Sequence, residues 1–227
     1  MTYDNTKQEQ LPIAVSTGEP AGIGPEICLK AWYKKKLLSP NFFLVGDFYA
    51  LETCNKILNF DINLYKMEKV DEINNLSYSN LNILHQPLVS QTDPGFPKKE
   101  NSPYIINCII KAVETVKLGF ASALVTCPIQ KNIIYSSGFS FPGITEFLGS
   151  LARKNDTPVM MISSQQIKTV PITTHISVSN ISKNLSIDLI VNKCKILINS
   201  LVKDFKIQSP QIAVTGLNPH AGENGTI

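Results

Sequence analysis

The sequence predicts an α/β fold built on a mainly parallel sheet, and three observations carry that prediction. Its short apolar runs are mostly continuous rather than alternating, as strands covered on both faces require. Between them lie segments with the apolar spacing of amphipathic helices. Strand and helix patterns alternate along the chain without a repeat or low-complexity tract, which points to layered α/β packing. With 227 residues and 43% hydrophobic content, the chain can bury a substantial core in one large domain or two modest ones.

The first predicted strand covers residues 12–16 and runs into a turn holding Gly18, Gly22 and Gly24 before Pro25 and Glu26. This turn is not a Rossmann fingerprint, which would need glycine where Ile27 stands, nor a Walker loop, which would end in Gly-Lys-Ser/Thr. On spacing it reads as a tight turn, with Pro25 in the first helical position and Glu26 complementing the helix dipole. The functional alternative turns the N–H groups of that helix start toward an anionic ligand.

Further strands are predicted at Phe42–Gly46, 81–84 and 122–126, with His85 following the second of these as a structural histidine. Residues 91–102, with Pro94, Gly95, Pro97 and a charge cluster, read as a long exposed loop. Apolar positions 105, 106, 109, 112, 113 and 116 place a helix over 104–118, closed by Gly119. Two strand-like runs, 159–162 and 168–173, flank Ser163-Ser164-Gln165-Gln166 too closely for a helix, so a hairpin is predicted and the sheet becomes mixed. A stripe at 187, 190, 191, 194, 197, 198, 201, 202 and 205 gives a helix over 187–205 with Ser186 as its cap. The last predicted strand is 211–215.

Composition excludes several classes. Charged residues make up 17% of the chain and the net charge of +3 is spread along it. Lys34-Lys35-Lys36 reads as a solvated helix end. Arg153 is the only arginine, which argues against nucleic-acid binding, where arginine forks read phosphates and base edges. No apolar run approaches the roughly 18 residues of a membrane span, and residues 1–10 are polar, without a signal pattern. The cysteines at 28, 54, 108, 127 and 194 form no CxxC pair, so a disulfide scaffold is not expected and a reducing cytoplasm is. Those at 28, 108 and 194 read as small hydrophobes, and Cys127 has nothing beside it to activate it as a nucleophile.

In open α/β sheets ligands bind beyond the carboxyl ends of the strands. Two of the chain's three histidines, His175 and His220, follow predicted strands there. Each can be an ordinary hydrogen-bonded residue. As neutral imidazoles at one sheet edge they could instead share a divalent metal, with Glu223 and Asn218 as local support.

Taken together, several motifs resemble ordered blocks of the 4-hydroxythreonine-4-phosphate dehydrogenases. These are the run from Ile13 through Thr17-Gly18-Glu19-Pro20 to Glu26, Val45-Gly46-Asp47, Ala123 to Lys131 with Cys127-Pro128, Gly143-Ile144-Thr145-Glu146-Phe147-Leu148, Thr173-Thr174-His175, and Gly216-Leu217-Asn218-Pro219-His220-Ala221-Gly222-Glu223. The resemblance implies an α/β/α sandwich similar to the isocitrate and isopropylmalate dehydrogenases, in a homodimer with its active sites at the subunit interface. It implies NAD or NADP, a divalent metal (Zn, Mg or Co) and a small phosphorylated hydroxy-amino-acid substrate, 4-phosphooxy-L-threonine. That substrate is oxidised and decarboxylated on the way to pyridoxal phosphate. By the same resemblance His175 and His220 match two of three metal-holding histidines, and Thr145 matches a substrate contact.

The chain departs from the family pattern at Ile144, where the family has a histidine that contacts substrate. The resemblance also implies a further segment beyond residue 227, carrying the third metal histidine, lysine and arginine phosphate contacts and much of the cofactor pocket. The 227 residues are therefore expected to be an incomplete subunit, with no internal domain boundary predicted. Three readings stay open: an incomplete view of a family dehydrogenase, a shortened inactive relative, or a dehydrogenase for a related phosphorylated four-carbon hydroxy acid such as phosphothreonate or phosphoerythronate.

Overall fold

The computed structural model describes residues 11–34, 41–77, 79–152 and 157–226. The polar segment 1–10, Lys35 and Lys36 of the basic cluster, and Arg153 lie outside the described residues. The chain divides into two compact units, Met1–Phe141 and Pro142–Ile227.

The first unit is a three-layered α/β arrangement. Strands β1 (Ile13–Ser16), β2 (Phe42–Gly46), β3 (Leu64–Met67), β4 (Leu81–His85) and β5 (Ala123–Thr126) form one sheet in the order β3-β4-β2-β1-β5. Every pairing is parallel, with Ile13 opposite both Phe42 and Ala123, and Leu44 opposite Ile83. Because side chains alternate across a strand, successive residues of one apolar run reach opposite layers. Phe43, Val45 and Leu84 pack with Tyr104, Ile105, Cys108 and Ala112 of α3 (Ser102–Lys117) and Ile134 of α4 (Lys131–Ser136). Leu44, Leu81 and Ile83 pack on the other face, with Cys28 and Leu29 of α1 (Gly24–Tyr33) and Leu51 of α2 (Phe48–Ile57). This two-sided burial is the reason the strands read as continuous hydrophobic runs.

Phe43 is completely buried, and truncating such a side chain costs about 3–5 kcal/mol. Strand β3 and helices α2 and α4 of this unit escape the sequence pattern. Strand β3 is an edge strand whose Tyr65 is exposed and whose Lys66 bridges Glu68. Helix α2 is short, and its start is fixed by Asp47, whose Oδ1 accepts the Ala50 N–H at 2.8 Å.

The loop predicted over 91–102 is not exposed throughout. Asn101 and Ser102 are fully buried, and Asn101 exchanges two hydrogen bonds with the Ser90 backbone at 2.9 and 2.8 Å. The Gly95 N–H donates to Ala21 O at 2.7 Å, which ties the loop back to the turn after β1.

The second unit carries α5 (Ile144–Leu151), β6 (Ile162–Ser163), β7 (Lys168–Thr169), α6 (Ile181–Asn184) and α7 (Ile187–Lys203). The predicted antiparallel hairpin is present but shorter than its apolar runs. Only Ile162–Thr169 and Ser163–Lys168 pair, and they form their own ribbon rather than joining the five-stranded sheet. Its turn is closed by Ser164, whose N–H donates to Ile167 O and whose hydroxyl accepts the Gln166 and Ile167 N–H groups. The segment 211–215 is not a strand: it has no ladder partner among the described residues, and Val214 is exposed. An apolar run becomes a strand only where a neighbour accepts its backbone hydrogen bonds. Helix α7 starts where predicted, with Ser186 accepting the Leu189 N–H at 3.1 Å. Among the described residues no helix is long and apolar enough to cross a membrane.

Candidate active site

Two regions hold the residues singled out by sequence, and each is built differently. The first is the carboxyl edge of the parallel sheet. Thr17, at the end of β1, is buried and shares a 3.1 Å hydrogen bond with the Tyr104 hydroxyl, which also accepts the Asp47 N–H at 2.9 Å. Burial holds the Tyr104 phenol well above its ordinary range. Asp47 caps α2 with Oδ1 and accepts the Leu88 N–H with Oδ2 at 3.1 Å. His85 accepts the Phe48 N–H through Nδ1 at 3.2 Å, the structural role its sequence position predicts.

The glycines of this edge are filled by the chain itself. A Cβ on Gly24 would lie 1.9 Å from Thr17 O, and one on Gly18 would lie 2.3 Å from Pro128 O. Gly18 also has φ +71, which favours glycine. The turn around Gly22 and Gly24 is thus a close backbone crossing. It is not an open cradle for a pyrophosphate. Pro25 stands in the first turn of α1, and Glu26 there bonds Lys30, as a structural reading of that turn requires.

Cys127 and Cys28 place their sulfurs 3.4 Å apart in the same packing, and their shared hydrogen bond pushes the Cys28 thiol up and holds that of Cys127 down. Cys108 is pushed up to about 12 by burial. Glu19 is an open carboxylate of this edge. Its Oε1 accepts the Ala21 N–H at 3.1 Å, while Oε2 is buried without a hydrogen-bond partner among the described residues. Burial raises its pKa, and the Ala21 bond offsets part of the rise.

The second region lies in the second unit, around the start of α5. Gly143 precedes the helix in extended conformation, and Ile144, Thr145 and Glu146 form its first turn. Ile144 and Thr145 are half-buried. Thr145 lines an open depression of about 320 Å³ with Leu148, Gly149, Ala152 and Pro158. His175 reaches the same helix start, with Nε2 3.9 Å from Glu146 Oε2. The His175 backbone has φ +58, a left-handed conformation that costs a non-glycine residue on the order of 1 kcal/mol. Lys193 of α7 donates to Pro171 O at 3.3 Å; burial lowers its pKa, and the Glu146 charge raises it in part.

His220 sits apart, in an exposed loop. Its Nδ1 is 2.6 Å from Glu223 Oε1, and its backbone N–H donates to Asn218 Oδ1 at 2.9 Å. Both local supports expected from sequence therefore touch His220. With Nδ1–H donated to Glu223, the Nε2 lone pair is left facing outward, the usual arrangement behind a metal-ligating imidazole. Among the described residues, no three of His, Cys, Asp or Glu converge as a cation cage. The structure thus brings His175 to the Ile144–Thr145–Glu146 turn and leaves His220 with its own carboxylate. Glu146 and Lys193 received no role from sequence. The signal available for Glu146 was a carboxylate adjoining Thr145 in the motif already singled out.

Residues 39–227 match the family model described as pyridoxal phosphate biosynthetic protein PdxA. The chain belongs to the PdxA family. It is 36% identical over 221 residues to the 4-hydroxythreonine-4-phosphate dehydrogenase of Xanthobacter autotrophicus, covering 95% of this chain and 63% of that protein. Identity to the enzyme of the same name from Zymomonas mobilis is also 36%, over 95% of this chain and 64% of the other. Among solved structures, the Klebsiella pneumoniae 4-hydroxythreonine-4-phosphate dehydrogenase superposes with a TM-score of 0.83 at 29% identity, covering 95% of this chain and 66% of that one. A Salmonella typhimurium protein described as a 4-hydroxythreonine-4-phosphate dehydrogenase gives 0.82 at 26% identity, over 94% and 67%. The chain spans a little under two thirds of the length of these curated PdxA relatives. These likenesses bear out the dehydrogenase-like α/β fold expected from the sequence.

Proposed function

We propose that this PdxA-family chain serves the metal-dependent, NAD(P)-linked oxidation and decarboxylation of 4-phosphooxy-L-threonine in pyridoxal phosphate biosynthesis. The observation that carries this reading is the family match over residues 39–227, in a chain whose His175 and His220 each have a carboxylate beside them. The donor set suits a divalent cation. Neutral imidazoles bind Zn2+ or Co2+ well, and the orphaned carboxylate oxygen of Glu146 beside His175 is an oxygen donor that Mg2+ would also accept.

In this reading His175 and His220 hold the cation, and Glu223 fixes the tautomer and ring orientation of His220. A divalent cation held there would supply Lewis-acid polarisation of the substrate oxygen at the carbon that is oxidised. Thr145, which lines the open depression, would orient the substrate through its hydroxyl. The dinucleotide is not assigned to the Gly22/Gly24 turn, whose space the chain's own backbone fills. The homodimer, a cytoplasmic location and the hydride acceptor belong to this proposal on the family likeness alone.

Ile144 favours a second reading, a related phosphorylated four-carbon hydroxy acid as substrate. An isoleucine offers no hydrogen bond where the family pattern has histidine, and one lost polar contact costs ~1.5–3 kcal/mol, roughly ten- to a hundredfold. The test follows nicotinamide reduction at its near-ultraviolet band, with 4-phosphooxy-threonine and 4-phosphoerythronate, with and without a chelator. Chelator-sensitive turnover of the first substrate, raised about ten- to a hundredfold by Ile144→His, is the expected result. Preference for the second substrate would move the assignment to that acid. Turnover untouched by chelator would sink the metal reading.

A further inference from the structure

We infer that Cys28 and Cys127 are a reversible thiol–disulfide pair, closed by hydrogen peroxide and reopened by a thiol reductant. Nothing next to Cys127 along the chain activates it, but the fold brings Cys28 to it from 99 positions away. Their sulfurs stand 3.4 Å apart, and both thiols are free. A disulfide holds its sulfurs at about 2.05 Å, so each sulfur has roughly 0.7 Å to travel. Turning each side chain about its Cα–Cβ bond covers that distance within the ~30° a rotamer well allows.

The backbone around the pair favours this approach. The Cys127 N–H donates to Ser16 O at 3.0 Å, so the end of β1 fixes its position. Cys28 lies in α1 one turn after Gly24, and residues four apart share a helix face. A Cβ on Gly24 would stand 3.3 Å from Cys127 Cβ. The bare glycine therefore lets α1 come down onto Cys127 and leaves Cys28 against its sulfur. Closed, the bond ties α1 to the end of β5 beside the Gly18–Gly24 crossing.

The two sulfurs have different parts. Cys127 is the more exposed, at 7% against 4%, and the shared hydrogen bond holds its thiol below the ordinary range. A lower pKa leaves more thiolate, the form that attacks. Cys108 is the contrasting case, a thiol that burial pushes up to about 12 and so keeps inert. The Cys127 thiolate attacks one oxygen of the peroxide and the O–O bond breaks, giving a sulfenic acid. The hydroxide released takes the proton that Cys127 gave up. Cys28 Sγ then attacks the sulfenic sulfur, and its proton leaves with the second hydroxide. The two thiols lose two electrons, the peroxide gains them, and the products are one disulfide and two water molecules. In a reducing compartment such a bond is a transient, redox-sensing one.

The test treats the chain with a few equivalents of hydrogen peroxide, blocks remaining thiols with N-ethylmaleimide in denaturant and maps the peptides by mass spectrometry. The thermal midpoint is read before and after dithiothreitol. The expected result is one crosslink joining Cys28 to Cys127, with Cys54, Cys108 and Cys194 still alkylated. The midpoint should rise by about 10 °C, because the bond closes a long loop, and dithiothreitol should reverse the rise. Cys28→Ala and Cys127→Ala are each expected to lose the crosslink and the shift. Cys54→Ala should keep both, although Cys54 packs on the same apolar cluster. Mapping of the wild type carries the test if either of the first two variants fails to fold. A crosslink through Cys54, no crosslink at all, or sulfinic acid at Cys127 in its place would overturn the inference. So would a Cys28–Cys127 link that leaves the midpoint unchanged or lowers it, since the sulfurs would then meet only in unfolded chain. None of these outcomes bears on the metal reading, which involves neither cysteine.

Discussion

His85 and Asp47 in the first unit, and His175 and Glu146 in the second, are each 3.9 Å apart between ring nitrogen and carboxylate oxygen, yet they are opposite kinds of pair. At the sheet edge every one of these atoms has a structural task. Asp47 accepts the Ala50 and Leu88 N–H groups, and His85 Nδ1 accepts the Phe48 N–H. Beside α5 the carboxylate oxygen is buried without a hydrogen-bond partner among the described residues, and the histidine backbone is strained. Distance alone does not mark a site. What separates the two is whether the polar atoms are already satisfied by the fold, and that difference divides architecture from chemistry.

The comparison breaks first at the glycines. Gly24→Ala would drive a methyl to within 1.9 Å of Thr17 O, a backbone atom that cannot swing aside. Overpacking of this kind is expected to cost about 3 kcal/mol or more, seen as a large fall in thermal midpoint or loss of soluble protein. An alanine variant with wild-type stability would mean that the sheet edge is looser than its contacts indicate.

Next in size is a direct exchange between the two carboxylates. Asp47→Ala removes a helix cap and leaves two N–H groups without their acceptor, at a cost of about 2–3 kcal/mol in denaturant unfolding. Glu146→Gln keeps the side chain's shape, and its Oε2 makes no hydrogen bond among the described residues, so its stability should change by less than about 0.5 kcal/mol. Equal losses from both substitutions would erase the distinction between a closed pair and an open one.

The sequence reads the closed region better than the open one, for a physical reason. Phe42–Gly46 is predicted to its ends because both faces of β2 are buried, which leaves a continuous apolar run. Helix α3 is legible because one stripe meets one layer. The 211–215 run has the same apolar look but no ladder, since pairing depends on a partner strand that local composition does not encode. Strand β3 fails in the other direction, an edge strand whose exposed side chains dilute its pattern. In the site, His175 and Thr145 are visible through their motifs. The meeting of Glu146, Gly143 and His175 is not, because it brings together residues about thirty positions apart. Nothing in the spacing of Gly143-Ile144-Thr145-Glu146 says which side chain the glycine makes room for.

Glu19 gives the smallest effect and the finest test, because its Oε2 is an open carboxylate oxygen in an edge whose other carboxylate, Asp47, is closed. Burial raises its folded pKa above the ordinary 4.5. The folded state therefore binds this proton more tightly than the unfolded chain does. The stability linked to that proton is fully present below the unfolded value and is lost as pH rises through the folded one. At neutral pH the wild type carries a desolvated carboxylate that Glu19→Gln does not. The glutamine variant should have the higher thermal midpoint at pH 7.5, and its advantage should shrink as pH falls toward 4.5. The midpoint difference measured across that range checks the sign. A difference that is flat with pH would mean that burial does not raise the Glu19 pKa. A variant less stable at pH 7.5 than at 4.5, relative to wild type, would mean that the sheet edge holds a positive partner for Oε2 and has an open pair of its own.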